Sequence, residues 1–140
     1  MNKIKAILLI LSVSLLITAC EDQEKNKLDN RVTDYWNYKI SHDYKQSYQF
    51  LSPGWRQTET LQAYVARMRI SSIKWLDAKI IRKECSEKYL CTIVTELQYE
   101  YQFKGAMSST IQVTTELKEK WLMKDNIWYK VPDSLNVMKK

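Results

Sequence analysis

Glycine and proline are nearly missing from this chain, with two of each in 140 residues, and histidine occurs once. With only Gly54 and Gly105, no glycine-rich loop can wrap a phosphate. His42, as the sole histidine, leaves a zinc site short of ligands and permits a Ser–His–Asp arrangement only through that one ring. No G-x-S-x-G nucleophile elbow is present. The excess of one charge sign is modest: the net charge is +6, without the long basic run that would point to nucleic acid. Metal, cofactor and nucleic-acid chemistry are therefore not expected.

Only one long apolar run exists, Ala6 to Ile17, and it follows a basic start at Lys3 and Lys5. Ile17-Thr18-Ala19-Cys20 then supplies a short cleavage site, which is the layout of a secretory signal rather than of a membrane span. The final four residues resemble the bacterial lipoprotein signal. That resemblance implies cleavage after residue 19, with Cys20 carrying lipid on its sulfur and amine, palmitate included. The alternative is an ordinary signal or anchor in which Cys20 is incidental. Each buried methylene contributes about 0.8 kcal/mol, so several acyl chains would anchor the protein permanently. Glu21 is not the Asp that the lipoprotein rule associates with inner-membrane retention, so the outer membrane, facing the periplasm, is favoured in a Gram-negative cell. Residues 20–30, mostly EDQEKNKLDN, are charged and read as a lipidated tether, leaving 31–140 as a single domain.

The front half of that domain is helical. Val32, Tyr35, Trp36 and Lys39 with Ile40 make a short amphipathic helix that starts near Asp29 or Asn30 as cap. Asp43 caps a second helix carrying Tyr44, Ser47, Tyr48 and Leu51, and Ser52-Pro53-Gly54 is expected to end it. Thr58 or Thr60 caps a third helix with Leu61, Tyr64, Val65 and Met68 on one face.

The back half alternates with a period of two. In Tyr89–Phe103 the positions Tyr89, Cys91, Ile93, Leu97, Tyr99, Tyr101 and Phe103 share one face, and Glu96, Gln98, Glu100 and Gln102 the other. A strand this long has to be central. Ile73–Cys85 precedes it with one parity shift, as a β-bulge makes. Ser108–Leu117 alternates again and Trp121–Met123 continue it or follow a kink near Glu119. Lys124-Asp125-Asn126 turns into Ile127–Val131. The expected class is α+β, with N-terminal helices on a curved, mostly antiparallel four-stranded sheet.

In this order, DYWNYKISHDYKQSYQFLSPGW and the terminal hairpin EKWLMKDNIWYKVP resemble the nuclear transport factor 2-like (cystatin-like superfamily) fold over about Leu28 to Pro132. The resemblance implies a cone-shaped cavity between helices and sheet, with Tyr35, Trp36, Tyr48, Trp55, Tyr64, Tyr99, Tyr101 and Trp121 as candidate lining. Such rings more often form core than pocket. It also admits a cyclase- or isomerase-like enzyme, but no acid or base can be placed inside the cone. His42-Asp43 sits at a helix junction where capping is the ordinary job, and Glu96 and Glu100 lie on the wetter strand face.

Cys85 and Cys91 flank the turn between two strands, and an exported chain meets an oxidising compartment, so a disulfide is expected over two free thiols or a metal pair. The functional expectation is a lipid-anchored envelope protein, non-enzymatic, acting on an envelope partner or as a homodimer. The alternative is a binder of a small apolar ligand in the cone. Thr92, Glu96, Gln98, Glu100 and Gln102 offer a docking face or a merely solvated one.

Overall fold

The structure, a computed structural model, describes residues 27–103 and 109–133. The signal 1–19, Cys20, Glu21, most of the tether and the turn at Gly105 lie outside the described residues. The chain divides into two compact units, 1–30 and 31–140. Of the first, 27–30 is described and is helical, so helix begins by Lys27 rather than at Asp29 or Asn30. The second unit opens with α1, residues 31–40, followed by α2 (Tyr44–Tyr48), α3 (Pro53–Thr58) and α4 (Leu61–Arg69). Four strands follow: β1 (Ile73–Glu87), β2 (Leu90–Gln102), β3 (Thr110–Lys124) and β4 (Ile127–Val131).

Local chemistry explains the helices. In α1 the stripe Val32, Tyr35, Trp36 and Lys39 is buried, at the i, i+3, i+4, i+7 spacing of one helix face. Asp43, Ser52 and Thr60 each accept a hydrogen bond from the backbone N–H three residues on, capping α2, α3 and α4. Helix α3 is where sequence and structure part. Ser52-Pro53-Gly54 does not only stop a helix; it starts one, because Pro53 at the first helical position gives up a donor that would be unpaired anyway.

A chain so poor in glycine places other residues in left-handed backbone. His42 (φ 62°), Asp125 (φ 52°) and Asn126 (φ 64°) occupy the positive-φ positions. The last two make the β3–β4 turn, whose paired positive φ angles match the strand twist.

The sheet is antiparallel throughout, in the order β1-β2-β3-β4, with β2 and β3 central. It is open, not closed into a cone. β1 breaks register with β2 between Trp75 and Asp77, Ile80 and Arg82, and Cys85 and Glu87, so the parity shift read in sequence is three irregularities. Those breaks, with Lys74, Lys79, Arg82 and Lys83, discourage pairing at this free edge. β3 runs unbroken through Glu119, with no kink. The β4 edge is covered by residues 50–52: Lys130 N–H donates to Phe50 O at 2.7 Å and Ser52 N–H to Lys130 O at 2.8 Å.

Cys85 and Cys91 face each other across the β1–β2 pair and are joined as a disulfide with six residues of separation. So short a closed loop stabilises by about 2 kcal/mol in the chain-entropy account. Replacing both by Ala should lower urea-unfolding stability by about that amount, while leaving the β1–β2 amide pattern intact. Loss of those amide signals would show that the bond creates the register rather than reinforcing it.

Candidate functional site

Two ionisable side chains from the inner face of the sheet, Glu119 and Lys130, and a third from α1, Lys39, lie in the core. Registry puts Trp121 opposite Lys130, and Glu119 precedes Trp121 by two on the same face. Glu119 is 3% exposed, Lys130 9% and Lys39, from α1, 7%. The Glu119 carboxylate contacts the Lys130 ammonium directly. It also accepts from Trp36 Nε1–H at 2.9 Å and from Thr95 Oγ1–H at 2.9 Å. Its lone pairs are thus well occupied, as a buried carboxylate requires.

Lys39 is placed differently. Its Nζ lies 4.5 Å from the Trp36 ring centre, 4.6 Å from Trp75 and 5.4 Å from Tyr35. Ring faces offer an ammonium partial compensation, but less than water does. Burial, reinforced by the Arg67 charge, lowers its pKa to about 7. Burial, and then Lys39 itself, push the Lys130 amine well below the usual lysine range, with the Asp133 carboxylate opposing that shift. Tyr35, buried among these groups, holds its proton well above the usual phenol range, chiefly through burial and then the neighbouring Tyr64. This cluster was hidden in the sequence, although its signal was there: Lys39 sat on the apolar stripe of α1, and Glu119 on the apolar parity of β3.

The aromatic residues singled out as candidate lining do not form one constellation. Tyr35, Trp36 and Trp121 are brought together in the core, Tyr35 packing edge-on against both tryptophans at 5.3 and 6.0 Å. Tyr99 meets Trp75 at 5.5 Å, and Trp75 meets Trp36 at 5.2 Å. Tyr48 and Tyr64 pair in the helical layer at 5.5 Å. There the Tyr48 hydroxyl donates to Glu59 O at 2.7 Å, and the Tyr64 hydroxyl is 3.0 Å from Ser47 Oγ. Trp55 Nε1–H donates to Glu59 Oε2 at 3.0 Å, and Glu59 also takes a two-toothed contact from Arg67 at 2.8 and 2.9 Å. Tyr101 stands apart, edge-on against Phe103 at 4.9 Å near the end of β2. Glu96, Gln98 and Glu100 lie half-buried on the face opposite Leu97 and Tyr99, with Gln102 exposed beyond them.

Two concave clefts lie elsewhere, of about 430 and 500 Å3, and share His42, Tyr44 and Arg69 as walls. None of the rings proposed as lining borders either cleft. His42 reaches this place because its backbone terminates α1: Ser41 N–H donates to Asn37 O at 2.9 Å and His42 N–H to Lys39 O at 3.2 Å. Asp43 is committed to capping, accepting from Gln46 N–H at 3.1 Å. Among the described residues, no group of three or more His, Cys, Asp or Glu could hold a metal ion, and no helix is long and apolar enough to cross a membrane.

No protein-family model matches the sequence, and no curated protein matches it either. Among solved structures, a SEC-C motif containing protein from Rhodopseudomonas palustris is similar, with a TM-score of 0.51 at 10% identity over 69% of each chain. At that identity the likeness concerns the fold alone. It corrects the nuclear transport factor 2-like expectation, whose motifs were amphipathic spacing and strand alternation. Such patterns specify a helical layer on an antiparallel sheet, and more than one fold family satisfies them.

Proposed function

We propose that this protein is a lipid-anchored module of the bacterial cell envelope that works by non-covalent contact with another envelope protein. The observation that carries the contact reading is the distal end of the sheet. Pairing of β2 with β3 continues to Gln102 opposite Thr110. Ile73, Tyr101 and Ile111 thereby form one cross-strand row on the inner face, with Phe103 packed on Tyr101. Phe103 is 45% exposed and Ile111 46%. An aromatic and aliphatic row left uncovered at a sheet end suits a protein partner. The most strongly perturbed ionisable groups, by contrast, are sealed beneath rings, which does not favour a turnover site.

The anchoring part is tested in cells by fatty-acid labelling and fractionation. Wild type is expected to carry label and sediment with membranes, and Cys20→Ser to lose the label and become soluble. Unlabelled wild-type protein would overturn anchoring. For the contact part, a photo-crosslinker at position 103 or 111 should give a discrete adduct in intact cells, and one at position 114, on the opposite face, should not. Equal or absent adducts from both faces would overturn it.

A further inference from the structure

Arg67 and Arg69 are near neighbours on α4 with opposite circumstances. Arg67 is clamped by Glu59, whereas Arg69 pairs with no carboxylate among the described residues. Arg69 instead forms the wall common to both clefts, beside Tyr44 and His42. Lys45 borders one cleft and Lys74 the other. Lys74 is held by Glu100 at 3.2 Å, but that pair is solvent-exposed on the lysine side, so a stronger anion can draw the ammonium away at little cost. Asp43, the other acidic wall, is occupied at the α2 cap. The local balance therefore leaves positive charge unspent in a concavity.

The remaining walls add shape. The His42 and Tyr44 rings lie 5.7 Å apart at a tilt of 51°. His42 holds a left-handed backbone (φ 62°), uncommon for a residue with a side chain, and its ring stands at the cleft. Burial keeps the Tyr44 phenol protonated, with Arg69 opposing the shift, so its hydroxyl remains a donor at neutral pH. Ser71 Oγ accepts from Ile73 N–H at 3.2 Å, leaving its own O–H to donate. Rings flanking a guanidinium, with hydroxyls around them, suit a ligand having an anionic head and a hydroxylated body. Each cleft has the volume of an ordinary small-molecule site.

We propose that the cleft shared by Arg69, His42 and Tyr44 binds a phosphorylated polyol or sugar, with the phosphate on the Arg69 guanidinium and the hydroxylated body against the two rings. Planar guanidinium donors match phosphate oxygens two at a time, which is why the arginine rather than the flanking lysines carries the recognition. This site adjoins the sheet-end contact surface at Ile73 but takes its charge from Arg69 on α4, and it stands whether or not Cys20 is lipidated.

The test titrates the full chain, in detergent micelles, with glycerol 1-phosphate and follows backbone amide shifts. Saturable shifts confined to residues 41–45, 61–74 and 100–102 are expected. Arg69→Gln should weaken binding at least tenfold. Arg82→Gln removes the same charge from β1 and should change affinity less than twofold. The melting temperature of Arg69→Gln should match wild type, since the side chain is exposed and unpaired. A second arm uses vesicles containing phosphatidylglycerol, whose headgroup is the same chemistry. Binding of soluble glycerol phosphate marks a free or polymeric ligand. Binding of vesicles alone, lost in Arg69→Gln, marks a lipid headgroup. Absence of saturable binding in both arms overturns the proposal, as does equal weakening by Arg69→Gln and Arg82→Gln.

Discussion

Glu119→Ala is expected to lower the stability of the domain by about 3–5 kcal/mol, because it strips the only carboxylate from a buried cluster. The Lys130 ammonium loses its direct counter-charge, and the donors Trp36 Nε1–H and Thr95 Oγ1–H lose their acceptor. Small domains have about 5–15 kcal/mol in total, so the variant should sit near the edge of folding. Glu119→Gln keeps an acceptor for Trp36 and Thr95 and removes the charge alone, so it isolates the ionic share. The double replacement Glu119→Leu with Lys130→Met should recover most of the loss, since apolar residues of similar volume often replace a buried pair at little cost. Urea unfolding followed by tryptophan fluorescence measures all of these. A loss below about 1 kcal/mol for Glu119→Ala would mean that water or Lys39 compensates the site, and that the cluster does not organise the core.

Stability should also rise between neutral and alkaline pH, a window in which paired carboxylates, already ionised in both states, contribute no slope. Lys39 has a folded-state pKa of about 7, below that of a lysine in the unfolded chain. Between about pH 7 and 10.5 the unfolded chain therefore binds a proton that the folded one has released. Each pH unit in that window then adds up to about 1.4 kcal/mol to unfolding free energy, and the whole window up to about 5 kcal/mol. Below pH 7 both states carry the proton and the cost of burying the charge is present in full. Lys130 shifts in the same direction, chiefly through burial. Above about pH 10 the sign reverses, because Tyr35 and Tyr64 hold protons in the fold that their unfolded counterparts release. The maximum is expected between about pH 9 and 10. Lys39→Met should flatten the rise and raise stability at pH 7. Urea midpoints at pH 7.0 and 9.5 decide it, and an equal slope in the variant would remove Lys39 as the cause.

The contrast between legible and illegible features follows from the range of the interactions involved. Alternation along Tyr89–Phe103, the α1 stripe and the caps at Asp43 and Thr60 are local, so they could be read from neighbouring residues alone. Cys85 and Cys91 were legible as a pair for the same reason, since only a short turn separates them. Helix α3 was missed because Pro53 carries two local meanings, and which one holds depends on Ser52 turning its hydroxyl to Trp55 N–H.

The sequence by itself determined the α+β class, the strand order along the chain and the faces that β2 and β3 present. Periodicity of two and of 3.6 residues is enforced by backbone geometry wherever the chain goes. Only the tertiary structure decided that Lys39, Glu119 and Lys130 meet, that the sheet stays open, and that Arg69, with no carboxylate partner among the described residues, borders two clefts while Arg67 is clamped. Those outcomes rest on contacts between residues far apart in sequence. A lysine on an apolar stripe becomes a buried amine with a pKa of about 7 only when the rings of Trp36 and Trp75, from a helix and a distant strand, close over it.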